Sequence, residues 1–167
     1  MNIDTINIEC ETVKDFDAVE TLAALAFGPG RFTRTAFRLR EGVPHKPDLS
    51  FVARHGGQLV GGVRQTEIKI GHSAGLLLGP LVVAPEFKNW SIGRKLMTTA
   101  VSAARDAGQP WIILVGDKPY YGRFGFEIVE PGQVTLPGPV DPNRLLICKL
   151  DKEVCKGLSG MVRQIGK

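Results

Sequence analysis

Residues 76–96 read LLLGPLVVAPEFKNWSIGRKL, and this stretch decides the fold. It opens as a continuous apolar run, which is typical of a strand buried on both faces. Gly79-Pro80 interrupts the run, and proline belongs at a sheet edge or a bulge because it has no N–H to donate to a neighbouring strand. We therefore predict that the strand parts from a neighbour near Gly79, which leaves backbone groups of residues 81–83 free.

A helix is predicted directly after this strand, from Ser91 to about residue 107. The prediction rests on helical spacing, which is shown by Ile92, Lys95, Leu96, Thr99 and Ala100. The first N–H groups of a helix lack internal partners and, together with the helix dipole, attract anions. Ser91 is a favourable N-cap residue, Gly93 permits close backbone approach, and Arg94 and Lys95 add positive charge. The stretch contains neither GxGxxG nor GxxxxGK[ST], so two common phosphate loops are excluded.

Composition predicts one soluble domain over residues 1–167. The chain is 43% hydrophobic and 23% charged, which is ordinary for a globular protein with a full core. Its net charge of +4 is spread along the sequence without a basic stripe, so we expect no nucleic-acid partner. Cys10, Cys148 and Cys155 form no CxxC pair, which favours reduced thiols in the cytoplasm and no metal site. Neither a signal peptide nor an apolar run of about 20 residues is present, so we expect no membrane association.

The remaining pattern predicts an α+β fold with a mixed sheet of about seven strands and about four helices. Strands are predicted over residues 3–10, 49–54, 58–70, 76–83, 111–115, 126–129 and 144–150, and helices over 16–27, 31–41, 91–107 and 120–124. The helix at 91–107 joins two apolar strands, which implies that they run parallel. Residues 86–91 are predicted to be a short loop and 130–143 an irregular arm, and the tail from Asp151 is predicted to be helix or coil.

Residues 117–126, which read DKPYYGRFGF, complete a two-motif pattern. Together with VAPEFKNWSIG at residues 83–93, this segment resembles the motifs of the GNAT N-acetyltransferase superfamily, V-x-P-x-x-[QR]-x-x-G-x-[GA] and [FY]-Y-x-x-x-G-[FY]. Lys88 stands where Gln or Arg is usual, and Ser91 replaces the first Gly. The GPL strand and the YYxRFGF segment are most similar to the YhbS-like subgroup. The resemblance covers residues 76–126.

The resemblance implies a mostly antiparallel sheet splayed between strands 4 and 5, with acetyl-CoA bound in the opening. It implies acetyl transfer to a primary amine on a small molecule or peptide, with no metal. The pyrophosphate would take backbone N–H groups of residues 89–94, and the pantetheine would pair with backbone groups of Leu81 and Val83. The full expected cofactor set is Leu81, Val82, Val83, Lys88, Asn89, Trp90, Ser91, Ile92, Gly93 and Arg94.

Tyr121 occupies the family's general-acid position, four residues before Gly125. A phenol with a pKa of about 10 stays protonated at neutral pH and can donate to a thiolate. We expect Tyr120 to serve packing instead. The acceptor amine also needs a base, because only about one ammonium in two thousand is neutral at pH 7.

Glu67, His72 and Asp117 are candidates for this base, although a solvated strand end or a turn cap is the simpler role for each. Substrate choice falls to the first two helices, their loop and the arm at 130–143. Arg31, Arg34 and Arg38 share one helix face and would suit a carboxylate or phosphate, although such faces are usually only solvated.

Two alternatives from other classes remain open at this point. One is an acyl-CoA-binding sensor on the same fold without catalysis. The other is a protein-interaction module that does not bind CoA. The sequence does not identify the acceptor, and a homodimer is possible because a final strand and tail of this kind often pair between copies in the family.

Overall fold

The computed structural model describes residues 5–30 and 34–166. These residues form a mixed α+β fold, as predicted. The strands are β1 (Ile6–Cys10), β2 (Phe51–His55), β3 (Gln58–Ile70), β4 (Ser73–Val83), β5 (Trp111–Val115), β6 (Glu127–Ile128), β7 (Val134–Thr135), β8 (Leu145–Lys149) and β9 (Gly160–Gln164). The helices are α1 (Phe16–Phe27), α2 (Thr35–Arg40), α3 (Ile92–Asp106), α4 (Lys118–Tyr121) and α5 (Lys152–Lys156).

The sheet is mostly antiparallel and follows the order β1-β2-β3-β4-β5-β8-β6. Within that order β4 and β5 are parallel, joined through α3 as the apolar strands and the intervening helix predicted. β3 is long enough to pair with two strands in succession: residues 58–63 pair with β2, and Ile68–Ile70 pair with β9. β7 pairs with β9.

The sheet opens between β4 and β5, as the Gly79-Pro80 step predicted. The two strands pair only at Leu76–Ile112 and Leu77–Ile113. β4 then continues to Val83 against β3 alone, with a register shift in β3 between residues 63 and 65. The Gly79–Pro80 peptide is cis and Gly79 has a φ of 133°, a backbone conformation that suits glycine. One backbone edge of β4 is therefore left beside the opening.

Close packing of α3 on the sheet fixes where this helix begins. Leu96, Met97 and other apolar residues of α3 are fully buried in the core cluster beneath it. Gly61 of β3 lies directly below: a Cβ there would be 3.1 Å from Ile92 Cγ2 and 3.2 Å from Leu96 Cδ1. Because Gly61 has no side chain, the first turn of α3 can approach β3 closely.

Several predicted elements differ from the structure. The loop at 86–91 is mostly a 3₁₀ helix (Pro85–Trp90), which proline can start because its φ is already helical. The helix predicted over 120–124 begins earlier, at Lys118, and continues as a 3₁₀ turn. The sheet has two strands more than predicted, because β7 and β9 carry too few alternating apolar residues to be recognised. β9 pairs with β3 of the same chain, so the tail is not simply helix or coil.

Within residues 5–30 and 34–166, no helix has the length and apolar character needed to span a membrane. The predicted helix at 31–41 is observed as α2, whereas Arg31 and the first residues of the predicted strand at 3–10 lie outside the described residues.

Candidate functional site

The opening between β4 and β5 leads into a cleft of about 1040 Å³. Its walls come from α1, α2 and the loop after it, the diverging ends of β4 and β5, α4, and residues 139–144. Among the residues predicted for the site, Leu81, Asp117 and Tyr121 line this cleft. The cleft therefore lies where β4 has lost its β5 partner.

The predicted pyrophosphate residues form a separate group at the start of α3, and none of them lines the cleft. Lys88, Asn89, Ser91 and Arg94 are exposed. Ser91 stands at the N-cap position, as its residue type favours, with a left-handed φ of 59°, and its side chain makes no capping hydrogen bond. The N–H groups of the first turn of α3 are thus left to a ligand or to water.

Two predicted residues of this region are buried and can reach a ligand only through the backbone, and the ring of a third is packed but half-buried. Val82 and Ile92 are buried in the core. Trp90 packs against His55 and Phe87, with ring centroids 5.0 Å apart in both pairs. Lys95, predicted to add charge for the anion, instead donates a hydrogen bond from Nζ to the Ile6 carbonyl at 2.8 Å.

Gly93 lies where the two sequence motifs contact each other. A Cβ at Gly93 would lie 2.8 Å from the hydroxyl oxygen of Tyr120 and 3.8 Å from Val83 Cγ2. The Tyr120 hydroxyl therefore sits against the first turn of α3, while the ring also lines the cleft. Tyr120 packs, as predicted, but its hydroxyl also faces the proposed anion site.

Tyr121 is held firmly in the wall of the cleft. Its ring packs edge-to-face against Tyr120 at 4.8 Å and lies 6.2 Å from Phe126. Gly116 leaves the space for it, since a Cβ there would lie 2.3 Å from Tyr121 Cε2. Burial, reinforced by Tyr120 and Asp117, raises the pKa of Tyr121 to about 12. Its hydroxyl forms no hydrogen bond with any described residue, so it is a free, protonated donor.

A charged network that the sequence did not reveal forms another wall of the cleft. Arg64 on β3 donates from Nη2 to the buried Glu11 at 2.9 Å and from Nη1 to Glu20 on α1 at 2.6 Å. Its guanidinium also lies 4.9 Å from the centre of the Phe16 ring. Both carboxylates are thus committed to Arg64, which is held rigidly at the wall.

His45 and Arg40 complete this part of the cleft. His45 Nε2 lies 3.4 Å from Glu11, and burial lowers the pKa of this imidazole, so it is neutral at neutral pH. Arg40 lies beside β4: its Nη1 is 3.2 Å from where a Cβ of Gly79 would be. Burial and the nearby charge of Arg64 lower the pKa of Arg40 to about 10, which still leaves it charged at pH 7.

The bases considered from sequence are less well placed than His45. Asp117 lines the cleft, but its side chain is 73% exposed and pairs with Arg144 at 3.2 Å. Glu67 pairs with Lys46 at 3.7 Å and is not part of the cleft wall. His72 is exposed in the β3–β4 turn, also outside the cleft.

The arginines predicted to share one face of the second helix do not share one environment in the structure. Arg34 lines the cleft, with its guanidinium 5.2 Å from the Phe27 ring centre, whereas Arg38 is exposed and does not line it. Arg31 lies outside the described residues. Within residues 5–30 and 34–166 no cluster of three or more His, Cys, Asp or Glu side chains is arranged to hold a metal ion.

Comparison with known proteins agrees with this geometry. Residues 46–128 match the acetyltransferase (GNAT) domain family. The uncharacterized N-acetyltransferase YjhQ of Escherichia coli K12 is 28% identical over 117 residues, which cover 68% of this chain and 65% of YjhQ. YhbS of the same strain is 22% identical over 85 residues, 51% of each chain. The chain thus spans about half to two thirds of these curated relatives.

Solved structures extend the similarity over nearly the whole chain. The crystal structure of Escherichia coli YhbS in complex with CoA superposes with a TM-score of 0.81 at 21% identity, covering 96% of this chain and 89% of YhbS. A GNAT acetyltransferase from Brucella melitensis, in complex with acetyl-CoA, has a TM-score of 0.60 at 25% identity and covers 84% of this chain and 94% of its own. Because the family match spans the diverging strands, α3 and the tyrosine segment, residues 46–128 belong to the GNAT acetyltransferase family, and the chain as a whole is similar to YhbS in fold.

Proposed function

We propose that this protein, as one domain over residues 1–167, transfers the acetyl group of acetyl-CoA to a primary amine on a small molecule or peptide. The observation that carries the proposal is the opening of the sheet, where β4 runs unpaired by β5 into a cleft lined by a free tyrosine hydroxyl. The CoA and acetyl-CoA complexes of YhbS and the Brucella protein support the choice of cofactor.

Acetyl-CoA would lie along the free edge of β4. The pantetheine amides would pair with backbone groups of Leu81 and Val83, with Val82 between them, as an added strand does. The pyrophosphate would take N–H groups of residues 89–94 at the start of α3, where an anion gains from the helix dipole. Lys88 and Arg94 would add charge from the surface. This arrangement would bring the thioester into the cleft that Leu81 and Tyr121 both line.

Tyr121 would serve as the general acid. When the amine attacks the thioester carbon, a C–N bond forms and the C–S bond breaks, so that sulfur develops negative charge. Burial keeps the Tyr121 hydroxyl protonated, with a pKa of about 12, and its proton is not engaged by any described residue. It can therefore donate to the departing sulfur, and the proton lost by nitrogen balances the one that sulfur gains.

His45 is our candidate for the group that accepts the amine proton. It lines the same cleft, and its lowered pKa keeps the imidazole in the neutral, proton-accepting form at neutral pH. Asp117 is the alternative within the cleft, but its carboxylate is solvated and already paired with Arg144. Transfer from the amine to His45, directly or through one water, satisfies the need for a base.

The test combines thermal unfolding with thiol release. Acetyl-CoA at one hundred times its Kd adds about 2.7 kcal/mol to the free energy of unfolding, which raises the Tm of a domain this size by roughly 5–10 °C. A panel of primary amines should then release free CoA thiol. Tyr121→Phe should lower kcat by roughly 10²–10⁴-fold and leave the acetyl-CoA shift intact, because the hydroxyl has no hydrogen-bond partner among the described residues.

Tyr120→Phe is the matched control, since it removes the neighbouring hydroxyl of the same cleft. A larger kcat loss in Tyr120→Phe than in Tyr121→Phe would reassign the acid to Tyr120. A normal acetyl-CoA shift without thiol release would indicate a CoA-binding sensor. No shift at all would leave a protein-interaction module as the better hypothesis.

A further inference from the structure

Among the described residues, Arg40 is the one cationic side chain of the cleft whose environment the proposed reaction does not explain. It is the last residue of α2, it is half-buried, and its Nη1 lies beside Gly79 where β4 leaves β5. Within the described part of the chain its guanidinium makes no hydrogen bond or ion pair. Five N–H donors are thus available in the cleft.

The other arginines that line the cleft within residues 5–30 and 34–166 each have a partner or lie in the open. Arg64 is bound by Glu11 and Glu20, and Arg144 by Asp117. Arg34 is exposed and lies over the Phe27 ring. Arg40 has intermediate burial, and its nitrogens are not among the buried polar atoms without a partner, so its donors are open to water in the cleft and to any ligand that displaces this water. Such an arrangement is expected where a ligand supplies the missing acceptor.

We propose that Arg40 binds an anionic group, a carboxylate or a phosphate, on the amine acceptor. This inference rests on the proposed acetyl transfer and narrows its substrate class. Gly79 precedes Leu81 by two residues on β4, a distance of roughly 6–7 Å along a strand. An anion at Arg40 and an amine at the thioester are therefore close enough to belong to one small molecule or to one residue of a peptide.

The charges of the cleft fit a zwitterionic acceptor. Among the described residues that line the cleft, the formal charges of four arginines are matched by those of four carboxylates, and His45 is neutral: the arginines are Arg34, Arg40, Arg64 and Arg144, and the carboxylates are Glu20, Glu41, Asp117 and Asp141. This group is balanced before a substrate enters. An acceptor with one ammonium and one anionic group keeps the balance, whereas a simple cationic amine adds an uncompensated charge. Planar carboxylates and phosphates also match the fork of the guanidinium.

The experiment compares acceptors in matched pairs with and without the anion. Amino acids are tested against their carboxamides, and phosphoethanolamine and glucosamine 6-phosphate against ethanolamine and glucosamine. Thiol release gives kcat/KM, and extra thermal stabilisation of the CoA complex by each compound at millimolar concentration gives binding without turnover. The protein variants are Arg40→Gln, Arg40→Lys and, as a control on the same helix, Arg38→Gln, which lies outside the cleft.

We expect the wild type to favour the anionic member of at least one pair by tenfold or more in kcat/KM or in binding. Arg40→Gln should abolish this preference by weakening the anionic member of the pair, without weakening the amines that lack the anion and without changing the acetyl-CoA shift, and Arg40→Lys should recover part of the preference. Preference for a carboxylate pair or a phosphate pair identifies the group. Equal treatment of both members of every pair, or a preference that survives in Arg40→Gln, overturns the inference. If acetyl-CoA does not raise the Tm of the wild-type protein, the result refutes the proposed function rather than the role of Arg40.

Discussion

Gly93→Ala tests whether the start of α3 holds the cofactor, and its cost to the fold can be worked out beforehand. The new Cβ would lie 2.8 Å from the Tyr120 hydroxyl, 0.6 Å short of the 3.4 Å at which ordinary contact begins. A small tilt of the Tyr120 ring relieves this, at about 0.5–1.5 kcal/mol. Alanine is also about 0.8–1.0 kcal/mol more favourable than glycine inside a helix. The two terms nearly cancel, so the free energy of unfolding should change by less than about 1 kcal/mol.

Acetyl-CoA binding should respond much more strongly. If the pyrophosphate sits against the first turn of α3, the added methyl group holds it away from the N–H groups. Losing one charge-assisted hydrogen bond costs about 1.5–3 kcal/mol, which corresponds to roughly 10- to 150-fold weaker binding. Isothermal titration calorimetry at fixed ionic strength measures this change in Kd, and urea unfolding of the same samples measures stability.

Two further variants separate the possible causes. Gly157→Ala is the matched control, because a Cβ there meets nothing within 4 Å and the residue has a negative φ. Gly93→Ala combined with Tyr120→Phe removes the hydroxyl that the methyl group meets. Recovery of affinity in the double variant would mean that displacement of Tyr120 weakens binding, and no recovery would mean that the methyl group blocks the backbone. An unchanged Kd in Gly93→Ala refutes the placement of the pyrophosphate at α3.

Three other predictions concern the cleft wall and the sheet. Burial lowers the pKa of His45, so as the pH falls the unfolded chain binds a proton at this residue before the folded chain does. The free energy of unfolding should therefore decrease as the pH drops below about 6.5 and level off below the folded pKa. Urea unfolding of His45→Gln should not show this decrease, and a pH profile identical to that of the wild type would contradict the prediction. Arg64→Ala leaves Glu11 buried without its partner and should cost about 3–5 kcal/mol in urea unfolding; a loss under about 1 kcal/mol would contradict a stabilising role. Gly75→Ala places a Cβ 2.4 Å from the buried Trp111 ring and should cost about 1–3 kcal/mol, with altered tryptophan fluorescence; unchanged stability and emission would show that the site can accommodate a methyl group.

The sequence was sufficient where local chemistry decides the structure. The β4–α3 unit was predicted because an apolar run followed by helical spacing is a strong local signal. The opening of the sheet followed from Gly79-Pro80, since proline removes a donor whatever the rest of the fold does. The placement of Tyr121 in the cleft followed from its motif, and its role as general acid stays a prediction.

The charged wall of the cleft could not be predicted in the same way. Arg64 meets Glu11 across 53 residues of sequence and Glu20 across 44. Each is a single polar residue without a repeating pattern, and only the packing of α1 against the sheet brings them together. The base candidates taken from sequence were polar residues near strand ends, whereas His45 lies in a loop whose position depends on β3.

The pairing of Ile68–Ile70 with β9 has a consequence for how the chain is made. Ile68 pairs with Gln164, which lies 96 residues later in the sequence. At roughly 5–20 residues per second, the ribosome needs roughly 5–20 s to synthesise that interval. During this time the edge of β3 that pairs with β9, at Ile68–Ile70, has no partner and is open to other strands. A hydrophobic segment including Ile68 and Ile70 is therefore exposed longest in the nascent chain, and it is the segment that we expect a chaperone to cover until residue 164 has emerged.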